Sequence, residues 1–222
     1  MPSSRYERIA RQAGYCAVAG VDEVGRGSLF GPVFAAAVVL DPERPVRGLD
    51  DSKLLEPERR EVLAGRIRER ARAWAVAASD AFEIDRWNIL QASRIAMKRA
   101  VERLQVRADY LLVDYITVDL PIAQRGLIGG DALSFSIGAA SILAKVERDA
   151  AMVAWDRIFP QYGLASHKGY YTPEHLAALA EHGPTSLHRF SFEPVRASSR
   201  YRQWTGYPLE QGPEQGELFA CP

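Results

Sequence analysis

The sequence predicts an α/β domain, with a mixed five-stranded sheet flanked by helices and a helical C-terminal extension. Two observations lead to this prediction. Short apolar segments, typical of buried strands, are gathered early in the chain, and helix-forming segments stand between and after them. The chain has 222 residues, of which 47% are hydrophobic and 25% are charged, so it is long enough to bury a substantial core.

The predicted strands are short runs of near-continuous apolar character, which favours burial on both faces of a sheet. They cover residues 16–24, 33–40, 74–81, 110–114 and 126–130. The predicted helices are longer segments of helix-forming composition or helical apolar spacing. They cover residues 58–72, 84–106, 136–159 and 173–182.

The order of these elements predicts three regions. We expect residues 1–160 to form the α/β domain and residues 161–202 to form a helical extension of the same domain. Residues 203–222 are rich in Pro, Gly and Glu, a composition that buries too little apolar surface to pack. We therefore expect a disordered acidic tail.

Composition narrows the class of protein. The longest apolar run, residues 33–40, is too short to cross a membrane, and the N-terminus has no signal-peptide core. Cys16 and Cys221 lie far apart in the sequence, so we do not expect a disulfide framework. The absence of such a framework is typical of a reducing, cytoplasmic compartment. The 28 basic residues equal the 28 acidic ones, so the net charge gives no nucleic-acid signal. Arginines cluster at 59–72 and 94–107, which indicates either a polyanion-binding surface or solvated helix faces.

The most informative stretch is residues 19–33, AGVDEVGRGSLFGPV. Its apolar strand ends in Asp22 and Glu23, and such carboxylates are costly unless they are paired or bound to a cation. Gly25 and Gly27 let a ligand approach the backbone, and Arg26 has a planar fork suited to phosphate. The pattern favours a metal site beside a polyanion over a salt-bridged strand end with a tight turn.

Two further carboxylates follow the same logic. Asp114 ends the apolar strand YLLVD, and Asp131 follows two glycines and precedes a long helix. If the two strands are neighbours, four carboxylates converge at one end of the sheet: Asp22, Glu23, Asp114 and Asp131. They repel one another unless divalent cations lie between them, and their oxygens suit Mg²⁺ and Mn²⁺. Two such ions about 4 Å apart can activate a water and stabilise the leaving oxygen of a phosphodiester.

Two alternatives stay open from the residues alone. Successive side chains on a strand point to opposite faces, so Asp22 and Glu23 share a site only if the strand ends or twists there. Asp131 is equally consistent with a simple helix cap, and Ser134 and Ser136 also stand where an N-cap is expected.

The opening motif, Asp-Glu-x-Gly-Arg-Gly, resembles the signature of bacterial type 2 ribonuclease H (ribonuclease HII). The likeness continues in the same order as far as Phe192. It includes residues 51–53 (DSK), 88–90 (NIL), 139–146 (AASILAKV), 167–170 (HKGY) and 188–192 (HRFSF). A match of this length is highly specific.

The resemblance implies a ribonuclease H fold and an endoribonuclease, and nothing in the sequence demands more than a monomer. Such an enzyme cuts the RNA strand of RNA–DNA hybrids and also cuts at ribonucleotides embedded in duplex DNA, leaving 3′-hydroxyl and 5′-phosphate ends. Two divalent ions, Mn²⁺ or Mg²⁺, are its implied cofactors. The implied catalytic and metal-binding residues are Asp22, Glu23, Asp114 and Asp131.

The resemblance also implies a set of substrate contacts. Gly25, Arg26 and Gly27 read the ribose 2′-hydroxyl, largely through the backbone, and Tyr170 stacks on the sugar of the next nucleotide. The extension at 161–202 contributes to this binding. The candidate phosphate contacts, each of which is equally consistent with an ordinary surface lysine, are Lys53, Lys145 and Lys168.

Three positions depart from the usual pattern of the family. Tyr115 stands where Gly is usual, Gly129-Gly130 where a basic residue is often found, and Tyr171 where the motif continues with Gly. None of these changes removes a catalytic group, so they concern substrate preference.

Two competing interpretations are weaker. Type 3 ribonuclease H carries a sizeable N-terminal domain and lacks Arg between the glycines, whereas only 21 residues precede Asp22 here and Arg26 is present. A catalytically silent hybrid-binding protein does not need the four carboxylates, all of which are present.

The tail contains a second short motif. Its sequence Gln215-Gly216-Glu217-Leu218-Phe219 places two adjacent apolar residues in a polar setting. The pattern Gln-x-x-Leu-Phe resembles the peptide by which bacterial replication and repair proteins bind the DNA sliding clamp. The side chains concerned are Gln215, Leu218 and Phe219, with chance occurrence or folding back onto the domain as the alternatives.

Overall fold

The structure, a computed structural model, describes residues 2–49 and 55–198. These residues form two compact units. The described residues of the first unit come from 2–24, 34–78 and 93–148, and those of the second unit come from 25–33, 79–92 and 149–198.

The sheet has five strands in the order β3-β2-β1-β4-β5. β1 (Val18–Val24) pairs antiparallel with β2 (Val33–Val39) and parallel with β4 (Tyr110–Asp114). β4 pairs parallel with β5 (Ala123–Leu127), and β3 (Ala73–Ser79) lies at the opposite edge. The predicted mixed five-stranded sheet is confirmed. Since β1 and β4 are parallel neighbours, their carboxyl ends lie at the same edge of the sheet.

The helices lie between the strands and after them, as predicted, and none in the described part of the chain is long and apolar enough to cross a membrane. Short 3₁₀ turns at Gly130–Ala132 and Pro160–Tyr162 precede α4 and α5. The helices are α1 (Arg5–Gln12), α2 (Pro57–Arg70), α3 (Ala81–Glu102), α4 (Phe135–Asp156), α5 (Leu164–His167), α6 (Pro173–His182) and α7 (Glu193–Arg196).

Two predicted elements were wrong in part. The fifth strand lies at Ala123–Leu127 rather than 126–130, because it is an edge strand with mostly exposed residues and therefore has no apolar run. The second long helix begins at Ala81 and is interrupted at Asn88, whose backbone has φ 68° and ψ 164°. The Asn88 side chain accepts a hydrogen bond from the Gln91 amide at 3.1 Å, so it caps the second half of α3.

The first unit is built around α4. One apolar cluster joins β2, α2 and α4, with Ala36, Leu63 and Leu143 among its fully buried members. At Gly20 of β1 the helix lies closer still: a Cβ there would be 2.0 Å from the carbonyl carbon of Ser136. Only glycine permits this approach of the helix to the strand.

The close approach at Gly20 predicts a large penalty for any side chain there. We expect Gly20→Ala to lower the free energy of unfolding by about 3 kcal/mol, because α4 has to move away from β1. Gly65→Ala is the matched control, since a Cβ at this site in α2 meets nothing within 4 Å. That substitution is expected to stabilise the protein by about 0.5–1 kcal/mol. Denaturant unfolding of both variants checks the prediction, and equal stability of Gly20→Ala and wild type would contradict it.

Candidate active site

Asp22 lies in β1, one residue beyond the last pair that β1 forms with β4, Val21 and Val113. Its side chain is 5% exposed. Its Oδ1 accepts a hydrogen bond from the Glu23 amide at 2.7 Å, and its carboxylate also interacts with the Ser141 hydroxyl of α4. Asp22 is therefore a buried carboxylate held between the sheet and α4.

Asp114 is the last residue of β4 and pairs with Leu127 of β5. Its Oδ1 accepts a hydrogen bond from the Gly130 amide at 2.6 Å. A Cβ at Gly130 would lie 3.2 Å from that same oxygen and 2.6 Å from the Ile137 side chain. A side chain at Gly130 would therefore crowd Asp114 and Ile137, and glycine lets the turn lie close to Asp114.

Asp131 is buried in the 3₁₀ turn that leads into α4. Its Oδ1 accepts a hydrogen bond from the Ala132 amide at 3.0 Å. The cap of α4 is Ser134, whose hydroxyl accepts from the Ile137 amide at 3.3 Å. The helix-cap interpretation of Asp131 is therefore wrong for α4, because Ser134 fills that position.

The four carboxylates influence one another. Burial raises the pKa of Asp22 well above its usual range, and repulsion from Glu23, Asp114 and, more weakly, Asp131 raises it further. The hydrogen bond from Ser141 offsets part of this rise. All four side chains belong to the first unit, and within it the charges of the other three act on Asp22.

The donor chemistry of this cluster fits a hard divalent cation, because all four side chains offer carboxylate oxygens. A cation would also offset the repulsion that, after burial, raises the pKa of Asp22 further. Across residues 2–49 and 55–198, the structure contains no group of three or more His, Cys, Asp or Glu side chains placed to hold a metal ion.

The sequence left open whether Glu23 can share a site with Asp22, because successive side chains on a strand point to opposite faces. β1 does not end at Asp22, since Glu23 pairs with Ala35 and Val24 pairs with Phe34. The alternation of side chains along β1 is thus maintained through Glu23, which is half-buried. Its charge nevertheless acts on Asp22 more strongly than that of either other carboxylate.

The Gly25-Arg26-Gly27 turn lies in the second unit, with Gly25 at φ 93°. A Cβ at Gly27 meets nothing within 4 Å. The carbonyl oxygen of Arg26 accepts a hydrogen bond from Nη1 of the buried Arg189 at 2.8 Å. The Arg189 side chain therefore supports the backbone of the turn, and the space beside Gly27 is open.

The residues after this turn pair with the segment that contains Tyr170. Ser28 and Tyr170 form an antiparallel bridge, and the Leu29 amide donates to the Gly169 carbonyl at 2.8 Å. The Ser28 hydroxyl lies 2.9 Å from the same carbonyl. Within the second unit, Ser28 and Leu29, which follow the glycine turn, are thus joined to Gly169 and Tyr170 by hydrogen-bonded contacts.

The other predicted site residues are more dispersed. Lys145 is half-buried on α4 in the first unit. Lys168, in the second unit, has φ 53°, and its amine donates a hydrogen bond to the Ala165 carbonyl. The remaining predicted residues, Lys53 and the tail set Gln215, Leu218 and Phe219, lie outside the described residues.

Tyr115, one of the departures from the family pattern, has φ 60° and is 60% exposed. This left-handed backbone favours glycine, which gives a physical reason for the usual residue at this position. Tyr115 directly follows Asp114, so an exposed aromatic ring adjoins the carboxylate cluster in the first unit.

Sequence reasoning missed Glu7 of α1. This buried carboxylate accepts hydrogen bonds at Oε1 from the Ser134 hydroxyl at 2.6 Å and the Ser136 amide at 2.9 Å. Ser3 adds backbone bonds to Leu133 and Phe135 on the same turn. The N-terminal segment therefore supports the start of α4, directly after Asp131. An acidic residue in an otherwise polar, basic helix gave no sequence signal for this role.

Comparison with known proteins identifies the family. A sequence model of ribonuclease HII matches residues 19–195, which is most of the chain. The chain belongs to the ribonuclease HII family. It is therefore a metal-dependent endoribonuclease, and the alternatives of type 3 ribonuclease H and a silent hybrid-binding protein are set aside.

Individual relatives agree. Ribonuclease HII of Solibacter usitatus is 64% identical over 195 residues, covering 88% of this chain and 86% of the relative. The crystal structure of ribonuclease H2 from Pyrococcus horikoshii has a TM-score of 0.71 and 25% identity, covering 85% of this chain and all of that one. The ribonuclease HII of Archaeoglobus fulgidus, solved in complex with PCNA, has a TM-score of 0.67 and 26% identity, covering 78% of this chain and 94% of that one.

The raised pKa of Asp22 predicts a stability gain when its charge is removed. A carboxyl group whose folded pKa exceeds its unfolded pKa costs stability as the pH rises through the folded value. With EDTA at neutral pH, we expect Asp22→Asn to raise the melting temperature, in the order of 2–4 °C for about 1 kcal/mol.

Asp119→Asn is the control for this experiment, because Asp119 is an exposed carboxylate whose nearest partner, Lys98, is 3.9 Å away. It should leave the melting temperature unchanged. Added Mn²⁺ should stabilise the wild type more than Asp22→Asn. A lower melting temperature of Asp22→Asn in EDTA would show that the Asp22 charge is not destabilising.

Proposed function

We propose that Asp22, Glu23, Asp114 and Asp131 hold two divalent cations, Mn²⁺ or Mg²⁺, at which the RNA strand of an RNA–DNA hybrid is hydrolysed. The same site incises at ribonucleotides embedded in duplex DNA. The observation that supports this most is the pKa of Asp22, which is raised first by burial and then further by the charges of the three other carboxylates of the same unit.

The protein contributes orientation and burial to this chemistry. The Gly130 amide holds Oδ1 of Asp114, and Ser141 orients Asp22, so each carboxylate keeps further lone pairs for an ion. When bound, the two cations activate a water and stabilise the leaving oxygen. The water oxygen joins the phosphorus and the bond from phosphorus to the 3′-oxygen breaks, leaving 3′-hydroxyl and 5′-phosphate ends.

Recognition of the ribonucleotide is assigned to the second unit. Gly25, Arg26 and Gly27 read the 2′-hydroxyl through the backbone, since that hydroxyl separates RNA from DNA at a given site. The open space beside Gly27 supports this role, because a ligand can approach the backbone there. Tyr170 stacks on the neighbouring sugar, and Lys53, Lys145 and Lys168 contact phosphates.

A sliding clamp is the proposed protein partner. The structure of a related ribonuclease HII, from Archaeoglobus fulgidus, is a complex with PCNA, which supports a clamp interaction in the family. In this chain we assign the contact to Gln215, Leu218 and Phe219, with the apolar pair as anchor and Gln as a directional hydrogen-bonding group. The expected domain bounds, monomeric state and cytoplasmic location stay predictions.

The metal assignment predicts the loss of cleavage when a single carboxylate is replaced. We expect Asp114→Asn to lower the rate of cleavage by more than about a hundredfold, because it removes an ion ligand. The measurement uses a labelled duplex containing one ribonucleotide, with Mn²⁺ and then with EDTA, which should abolish cleavage by the wild type. Asp119→Asn is the matched control and should cleave normally. Substantial activity of both Asp22→Asn and Asp114→Asn would rule out the four-carboxylate site.

The ribose assignment predicts different effects at two positions. Gly27→Val should fold normally, since its side chain enters open space, yet lose cleavage because it excludes the nucleotide. Tyr170→Ala should lower cleavage at a single ribonucleotide about tenfold more than cleavage within long RNA. Phe82→Ala removes an exposed aromatic ring of the second unit and should leave the ratio of the two cleavage rates unchanged. Equal losses by Tyr170→Ala on both substrates would indicate a packing role only.

The clamp assignment predicts binding by the tail alone. A peptide of residues 212–222 should bind the cognate sliding clamp in calorimetry, and the Leu218→Ala/Phe219→Ala version should not. No binding at high micromolar concentrations, or equal binding by both peptides, would discard this partner. Neither result bears on the nuclease assignment.

A further inference from the structure

Two fully buried histidines, His175 and His188, lie in contact in the second unit. Their Nε2 atoms are 3.2 Å apart. His175 lies in α6, and its Nδ1 is 2.9 Å from the carbonyl oxygen of Tyr170. His188 has its Nδ1 2.9 Å from the backbone nitrogen of Thr185. The two rings therefore form a continuous chain of hydrogen bonds that ends on Tyr170.

The backbone N–H of Thr185 decides the arrangement of protons along this chain, because the Thr185 hydroxyl, 3.1 Å from the same Nδ1, can turn to donate as well. A backbone N–H can only donate, so Nδ1 of His188 accepts from Thr185 and carries no proton. The His188 proton is then on Nε2 and is donated to Nε2 of His175. That atom of His175 is consequently an acceptor, and its proton is on Nδ1, from which it is donated to the Tyr170 carbonyl. The direction runs from Thr185 through His188 and His175 to Tyr170.

Both rings must be uncharged for this arrangement to hold, since a charged ring at either site would place two N–H groups against each other. Burial is the main cause that lowers the pKa of His175 to about 4 and the pKa of His188 to about 3. The pair therefore carries one proton per ring at neutral pH, in agreement with the geometry.

The chain of hydrogen bonds spans the segment that continues the glycine turn. On one side, Ser28 is bridged to Tyr170. On the other, Phe30 is bridged to His188, and the Gly31 amide donates to the Leu187 carbonyl at 2.8 Å. The histidines connect these two flanking segments to each other. Residues 28–31 thus contact two segments that are themselves joined by the histidine pair.

We propose that His175 and His188 are positioning residues for ribonucleotide selection, which fix the backbone of Tyr170 relative to the glycine turn through this ordered, uncharged relay. The inference rests on the proposed roles of Tyr170 and of the turn. The order of protons in the relay does not depend on those roles, so the two can fail separately.

The first test is the proton order itself. Nitrogen-15 NMR of the histidine-labelled full chain distinguishes a ring nitrogen that carries a proton from one that does not. At neutral pH we expect the proton of His175 on Nδ1 and that of His188 on Nε2. A charged ring at either position, or the opposite tautomer at His175, would overturn the relay.

The second test uses three substitutions of His175. His175→Asn places an amide near the position of Nδ1 and keeps the hydrogen bond to Tyr170. His175→Gln reaches only the position of Nε2, which faces His188. His175→Leu keeps neither hydrogen bond. We expect His175→Gln and His175→Leu to lower the preference for a single embedded ribonucleotide over long RNA, measured as the ratio of kcat/KM values, about tenfold. The change should lie mainly in KM. His175→Asn should retain more of the preference than the other two variants, because it keeps the bond to Tyr170 although it loses the link to His188.

Tyr162→Phe is the matched control. It removes a buried hydrogen bond, from the Tyr162 hydroxyl to the Gly183 carbonyl at 2.5 Å, next to the His188 ring but outside the relay. It should lower the melting temperature without changing the preference. The positioning role is overturned if Tyr162→Phe lowers the preference as much as His175→Leu, or if all His175 variants select as wild type does. Failure of the wild type to cleave either substrate would instead refute the proposed function.

Discussion

Position 20 of β1 sets the geometry on which the first unit depends. No atom beyond Cα fits there, because the Ser136 carbonyl group occupies the place of a side chain. This brings α4 directly onto the strand that carries Asp22, two residues further along, and places Ser141 within reach of its carboxylate. It also fixes where α4 begins, and therefore where the turn with Asp131 lies. The contact at Gly20 therefore links the strand of Asp22 to the helix that follows Asp131.

The carboxylate cluster lowers the stability of the folded first unit, and apolar packing elsewhere in that unit offsets this loss. Asp22 is buried among like charges, a state that favours the neutral form and opposes folding at neutral pH. Burial of aliphatic side chains between β2, α2 and α4 contributes about 1.5–3 kcal/mol per residue, so a few such residues outweigh the penalty. A bound cation stabilises the folded state further in proportion to its affinity.

The sequence predicted the elements whose signal is local. The strand at 110–114 and the helix at 173–182 have the predicted bounds, since one is an unbroken apolar run and the other lies between Pro173 and Gly183. The nearness of the carboxylates followed from parallel neighbours, although their role as ligands stays a prediction. The break at Asn88 was not predicted, because the residues on both sides favour a helix.

Contacts between distant residues could not be predicted for a different reason. Arg189 bonds to Gly31 and Arg26, and His188 contacts His175, only because the second unit folds these segments together. A sequence motif gives the identities of residues, but the direction of a hydrogen bond depends on where its donor and acceptor lie in the fold. The proton order of the histidine relay could therefore be read only from the structure.

The N-terminal helix has a practical consequence for anyone who prepares the catalytic core. The family match begins at residue 19, but the first turn of α4 is bonded to Ser3 and Glu7. The Glu7 carboxyl group accepts two hydrogen bonds at the N-terminal start of α4. A fragment cut at the family boundary has only water to replace that carboxylate. The contacts that support the start of α4 thus extend beyond the segment by which the family is recognised.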